Sequence, residues 1–302
     1  MGKEGGRRLA RWAVASIVAL VRALPHRWAV ALGSLLGRAL WLVSWRKVDL
    51  CEARCVMALG VGVTRAREIV RGSFVNVGRS AAEFARLDLI APDALRELVR
   101  IEGADVLGRA MNRGKGVLLM AAHMGNWELS GARMVLEGHP IVPIYTPQRD
   151  TGGVEAFIQR QRAAAGMEMI KSEGAALRGA FKALRAGKIL CVLQDLDARA
   201  SGVRVSFFGM PASAHVGIVE MHRRLGSPVV PLLCRRAADG IHHEILMREI
   251  LSDRVDDDGT PWGVDRERSL MMCNDVLEGW IRACPDQWLW LLDRWASTMP
   301  KP

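Results

Sequence analysis

His123 and Glu128 are the residues of this 302-residue chain whose types and spacing point most directly to chemistry. They stand in the stretch Lys115 to Gly138, K-G-V-L-L-M-A-A-H-M-G-N-W-E-L-S-G-A-R-M-V-L-E-G. On one helix, residues five apart lie roughly 140° from each other, so a purely helical pair would not meet. Their flanks indicate another geometry. Val117 to Ala122 is a continuous apolar run of strand length, suited to burial on both faces, and Trp127 to Leu136 then carries apolar residues at helical spacing. Asn126 is a good N-cap for that helix, which puts His123 at the carboxyl end of a strand and Glu128 in the first helical turn. The chain folds back there, and the carboxylate can accept from an imidazole N–H. The helix N-terminus keeps Glu128 ionised, Glu128 fixes the tautomer, and the other ring nitrogen is left to take a proton from a hydroxyl. No Ser or Cys nucleophile accompanies the pair, so direct attack by a substrate hydroxyl is favoured over a covalent acyl-enzyme. The same two residues also fit a plain structural reading, a His that ends a strand and a Glu that complements a helix dipole.

The elements that must hold such a pair follow from the pattern around it. Strands are predicted at Val117–Ala122, Ile141–Ile144, Ile189–Leu193, Val203–Phe207, Val229–Leu233 and His243–Ile250. Helices are predicted at about 127–137, 154–165, 174–186, 215–225 and 265–284. This alternation predicts an α/β fold, a largely parallel mixed sheet flanked by helices, with ligands at the carboxyl edge of the strands. Asp195 and Asp197 stand at the carboxyl end of a second strand, on opposite sides of an extended chain, so one of them faces the site. Arg162, on a helix between the two strands, carries a permanent cation toward the same edge or lies on a solvated face. Residues 49–100 read as mostly helical, with Arg65, Arg67, Glu68, Arg71, Arg79 and Glu83 on a charged face and Val70, Phe74, Val77 and Phe84 on the packed one.

Net charge is +10, and its placement matters more than its size. Residues 1–48 hold nine lysines and arginines against Glu4 alone, interleaved with Trp12, Trp28, Trp41 and Trp45. Such a segment fits an anionic membrane surface, where indoles sit at headgroup depth. Residues 1–8 read as a mobile polar lead-in, followed by an apolar helix stopped at Pro25 and a second apolar piece from Trp28 to Trp45 broken by Arg38. The uninterrupted apolar length is half of the roughly 20 residues a span needs, so monotopic attachment is favoured over a single span. A buried helical hairpin is the competing reading. The chain divides into a membrane-attachment segment over 1–45 and an α/β domain over 46–302. Nucleic acid is not expected as a partner, because no binding motif accompanies the charge. The six cysteines show no metal-ligand spacing and no disulfide framework, so reduced thiols and a cytosolic site are expected. No phosphate loop or dinucleotide fingerprint occurs, and no cofactor is implied.

Taken in order, these features resemble the lipid A biosynthesis acyltransferases within the broader lysophospholipid acyltransferase group. H-M-G-N-W-E resembles the family's H-x4-D/E block. Leu24-Pro25, Tyr145 to Pro147, Arg162 before Gly166, Asp195 to Asp197 followed by G-V-R-V-S-F-F-G, and P-D-Q-W-L-W-L-L-D-R-W near the end complete the set, covering residues 9–296. Leu196, Thr146 and Asp293 depart from the residues common in relatives. The resemblance implies transfer of a fatty acyl chain from a thioester, with acyl carrier protein as donor, to a hydroxyl of a membrane glycolipid such as a lipid A precursor. It implies work at the cytoplasmic face of an inner membrane. His123 would be the general base and Glu128 its orienting partner, with Arg162, Asp195, Asp197 and Asn126 binding substrate. A phosphatidylinositol mannoside type of acyltransferase using acyl-CoA, and a non-catalytic lipid-binding protein, are the alternatives.

Overall fold

The computed structural model describes residues 2–147, 153–172 and 176–299. Four helices come first, α1 (Gly2–Ala23), α2 (His26–Val43), α3 (Trp45–Leu59) and α4 (Val63–Phe84). The first takes in residues 2–8, which the sequence pattern had left outside it. Pro25 ends α1, since its ring removes a donor and restricts the residue before it. Where α2 crosses α4, Gly33 and Gly37 face Gly78, and a Cβ on any of the three would run into the backbone of the opposite helix. Glycine is what allows this close approach. No single described helix is long and apolar enough to cross a membrane, and α2 and α3, which reach that length together, bend by 94° between them.

The α/β part follows as α5 (Pro92–Leu98), β1 (Val99–Glu102), α6 (Ala104–Met111), β2 (Val117–Ala121), α7 (Trp127–Leu136), β3 (Ile141–Tyr145), α8 (Val154–Ala164), β4 (Ile170–Lys171), α9 (Ala176–Arg185) and β5 (Ile189–Leu193). Then come β6 (Val203–Phe207), β7 (Met210–Ala214), α10 (Gly217–Leu225), β8 (Val229–Pro231), β9 (Leu233–Arg236), β10 (His243–Leu246) and α11 (Arg266–Ala283). The main sheet is parallel throughout, in the order β4-β3-β5-β2-β8. All five residues of β2 are buried. Leu118 and Met120 pack on the side of Phe74 and Leu277, while Val117 and Leu119 pack on that of Leu107 and Leu129. Both faces are covered, as an all-apolar parallel strand requires.

Three strand expectations are corrected. Val203–Phe207 forms not part of the main sheet but an antiparallel ribbon with β7. Val229–Leu233 divides at Leu232, whose amide gives the last ladder bond to β2, to the Met120 carbonyl at 2.8 Å; β8 joins the main sheet and β9 a second one. The run His243–Ile250 is a strand only to Leu246, antiparallel to β9 and parallel to β1.

Candidate active site

Neighbouring strands β2 and β5 run in a register that pairs Ala121 with Leu193, and the Gln194 amide carries the ladder on by donating to the Ala121 carbonyl at 2.9 Å. His123 and Asp195 therefore lie level, each two residues past that pair, at the carboxyl edge of the sheet. They meet. His123 Nδ1 is 2.8 Å from Asp195 Oδ1, and the His123 amide donates to Oδ2 at 2.8 Å. Trp288 Nε1 also donates to Oδ2, at 2.9 Å. Burial pushes the Asp195 carboxyl up, but His123 and the donors of His123 and Trp288 outweigh it and hold the group below its ordinary range. The imidazole is 16% exposed, against none of the Asp195 side chain. Its Nε2 has no partner among the described residues, and the Trp127 ring meets it edge-on at 5.1 Å between centroids.

The expected His123–Glu128 pair does not form. Glu128 instead receives Arg162 at two points, Nε at 3.0 Å and Nη2 at 2.5 Å, with both side chains mostly buried. The cause is positional: β5 is the neighbour of β2, so the His123 ring turns toward Asp195, while the first turn of α7 presents Glu128 to α8. Arg162 is correspondingly not a free cation; burial works against its charge and the Glu128 carboxylate more than restores it. Its guanidinium also lies 5.8 Å from the Tyr145 ring.

Asn126 caps α7, its Oδ1 accepting from the Leu129 amide at 3.2 Å, and its Nδ2 donates to Glu83 Oε2 at 2.7 Å. With 1% of it exposed, it is turned into the interior. Asp197 is also removed from His123, accepting from the Ser297 amide and hydroxyl at 2.8 and 2.7 Å. Behind the turn lies a buried ionic cluster that the sequence pattern concealed, since Glu83 reads there as part of a charged face and is fully buried. Arg236 donates to both Glu83 oxygens at 2.7 Å, and His243 Nε2 lies 3.1 Å from Oε1. Burial alone would raise the Glu83 carboxyl; Arg236 and His243 bring it down to about 2. Asn76 and Ser80 each donate to the Gly125 carbonyl at 3.0 Å, and Gly125 has a φ of 61°, with a Cβ there colliding with the Cys234 carbonyl.

The C-terminal segment closes the turn from the other side. The Leu289 amide donates to the His123 carbonyl at 3.0 Å, and the Gly125 amide to the Gln287 carbonyl at 3.1 Å. Trp288 is the residue that site reasoning passed over; the signal was its place in the P-D-Q-W block. Among the described residues no cluster of three His, Cys, Asp or Glu could hold a metal ion. The half-buried Cys191 thiol is pushed up to about 12 by burial, which makes it a poor nucleophile.

A model of the bacterial lipid A biosynthesis acyltransferases matches residues 6–297. The chain belongs to that family. Two similar proteins are phosphatidylinositol mannoside acyltransferases, 29% identical over 168 residues in Mycobacterium tuberculosis and 25% over 177 residues in Mycolicibacterium smegmatis. These alignments cover 54% and 57% of this chain and span only 52% and 58% of the relatives' own length. The lipid A biosynthesis lauroyltransferase of Escherichia coli is 23% identical over 289 residues, 95% of this chain and 91% of its own. In this member of the lipid A acyltransferase family, Asp293 pairs with Arg54 at 2.6 Å.

Proposed function

We propose that the chain is an acyltransferase that moves a fatty acyl group from a thioester to a hydroxyl of a membrane glycolipid. The observation that carries this reading is the His123–Asp195 pair, with Nε2 unengaged at the carboxyl edge of the parallel sheet. Nε2 takes the proton of the acceptor hydroxyl as its oxygen attacks the thioester carbonyl. Asp195 holds the ring by Nδ1 and stabilises the imidazolium. The tetrahedral intermediate then collapses, the C–S bond breaks, and the leaving thiolate takes the proton from Nε2. The Glu128–Arg162 pair shapes the rim of the site. Arg162 Nη1, which gives no bond to Glu128, is available to an oxyanion or an acceptor phosphate.

Acyl carrier protein is the proposed donor, since it is acidic and this chain carries +10. A lipid A precursor is the proposed acceptor. The second reading, a phosphatidylinositol mannoside acceptor with acyl-CoA as donor, is favoured by the higher identity to the mycobacterial relatives. Residues 1–45 form the proposed attachment to the cytoplasmic face of the inner membrane. From Trp12 to Leu20 no residue of α1 is buried, and a helix apolar on every side requires an apolar surrounding.

The test is transfer by the purified chain between each donor and each acceptor, followed by mass spectrometry of the lipid. Acylation of the lipid A precursor from acyl carrier protein, lost ~10²-fold or more in His123→Ala, is the expected result. Transfer only to the mannoside would select the second reading. Undiminished transfer by His123→Ala would sink the mechanism.

A further inference from the structure

Between α2, α4 and the turn joining β9 to β10 lies an open groove of about 360 Å³, away from the strand edge that carries His123. Arg27, Arg38 and Arg79 line it, with Ser34, Val30 and Ile241 among the remaining wall. None of the three arginines has a carboxylate partner in the salt bridges of the described residues. Asp239 also borders the groove, but its carboxylate is taken by His242 Nδ1 at 2.5 Å. Arg79 is half-buried and spends only Nε, which donates to Ser34 Oγ at 2.6 Å, so both terminal nitrogens remain to donate. Burial, and then the charge of Arg236, make its own charge harder to hold. Arg38 adds to the strain on the Arg79 charge, the carboxylates of Glu83 and Asp286 offset it only in part, and an anion in the groove relieves the remainder. A phosphate suits the arginines best, because a guanidinium fork matches two of its oxygens.

The setting selects the source of that phosphate. Arg27, Ser34 and Arg38 share one face of α2, at offsets of seven and eleven residues. Trp28, Leu35 and Leu42 run beside them at intervals of seven and are 68%, 63% and 67% exposed. A cationic row next to an exposed apolar row matches the boundary between headgroups and acyl chains, the depth at which an interfacial helix lies.

We infer that the groove is a binding site for the phosphate of an anionic bilayer lipid, with Arg38 and Arg79 as its ligands, Arg27 adding charge at its far end, and the Trp28–Leu35–Leu42 row in the acyl layer. Such a site seats the chain at one depth and in one orientation on the membrane. It rests on the proposed function only in placing the protein at a lipid surface.

The experiment measures partitioning of the full chain onto phosphatidylcholine vesicles with and without phosphatidic acid. Arg38→Gln/Arg79→Gln is compared with Arg46→Gln/Lys47→Gln, which removes the same charge from exposed positions outside the groove. The groove pair should lose ~10-fold or more on the phosphatidic acid vesicles and nothing on phosphatidylcholine, and the outside pair less than ~3-fold. Arg38→Lys/Arg79→Lys, which keeps the charge without the fork, should recover only part of the loss. Equal losses in the groove and outside pairs would overturn the site in favour of diffuse attraction. Thermal stabilisation by inorganic phosphate equal to that by short-chain phosphatidic acid, and abolished in the groove variant, would overturn the lipid as source. His123→Ala, which tests the acyl transfer reading, should partition as the wild type does, so either idea can fail without the other.

Discussion

In the proposed mechanism Asp195 acts on the reaction only through the ring it holds, so its charge and its geometry can be separated. Asp195→Asn keeps a similar shape but no longer stabilises an imidazolium, and it can leave the proton on the wrong ring nitrogen. We expect a loss of ~10²–10⁴-fold in kcat with a near-normal melting temperature; steady-state transfer with one defined donor checks this, and a wild-type rate would remove Asp195 from the mechanism. Glu128 and Arg162 make the complementary case. Either change alone, Glu128→Gln or Arg162→Ala, leaves its partner without its counter-charge beside the site and should cost ~10-fold or more in kcat/KM. Since they are one pair, the double variant should lose clearly less than the product of the single losses, a coupling that a double-mutant cycle reads directly. Fully multiplicative losses would mean the two side chains act apart. The residues that matter were visible in the sequence as types at strand ends. Which acid would reach His123 was not, because that depends on β5 lying beside β2, and strand order is not written in local spacing.

At the scale of elements, the buried Glu83–Arg236 pair ties α4 to β9, while Asn126 and the Gly125 carbonyl bind the active-site turn to the same cluster. Removing one partner of a buried pair leaves an uncompensated charge, typically a loss of about 3–5 kcal/mol. Arg236→Met should show a loss of that order in urea unfolding at neutral pH. The acid side gives a second readout. The Glu83 carboxyl is depressed in the folded chain, to about 2 from an ordinary 4.5, so its stabilisation is complete above about pH 4.5 and is lost as pH falls toward 2. In Arg236→Met the main counter-charge is gone and burial weighs more heavily, so this limb should shrink or reverse; an unchanged acid limb would show that the cluster does not carry it. The parallel α/β layout was legible from the alternation of apolar runs, and the Ile189–Leu193 strand is found with its expected bounds. Glu83 was misread because helical periodicity reports which face is polar, not whether a polar face is solvated. Asn76, Ser80 and Glu83, at intervals of four and three, form a polar row that a partner from another sheet covers.

For the whole molecule, packing divides the basic N-terminus at Pro25, between what is structure and what is left for the proposed membrane attachment. Among the described side chains of α1, those of the last turn are tied down: Val21 is buried, Arg22 reaches Asp88 at 2.6 Å, and Arg86 donates to the Val21 and Arg22 carbonyls at 2.7 Å. Helix α2, by contrast, is seated on α4 through its glycines and buries Ala29 and Val30. Composition made the whole of 1–45 look like one unit, because cations and indoles recur along all of it; only the contacts tell the seated helix from the unsupported one. A chain lacking residues 1–45 would uncover α4 and should aggregate, which makes it a poor probe of attachment. A chain lacking residues 1–23 should fold, with a melting temperature lower by several degrees, and should retain the groove around Arg79. What it gives up is the apolar surface from Trp12 to Leu20, where each side chain fully buried in the acyl region is worth about 1.5–3 kcal/mol. Its partitioning onto vesicles should therefore fall ~10²-fold or more, and the remainder should be more sensitive to salt than in the full chain, because the arginines then carry a larger share of it. Vesicle sedimentation across a salt series measures both effects. Partitioning equal to that of the full chain would mean that α1 stays out of the bilayer and that α2 alone holds the protein there.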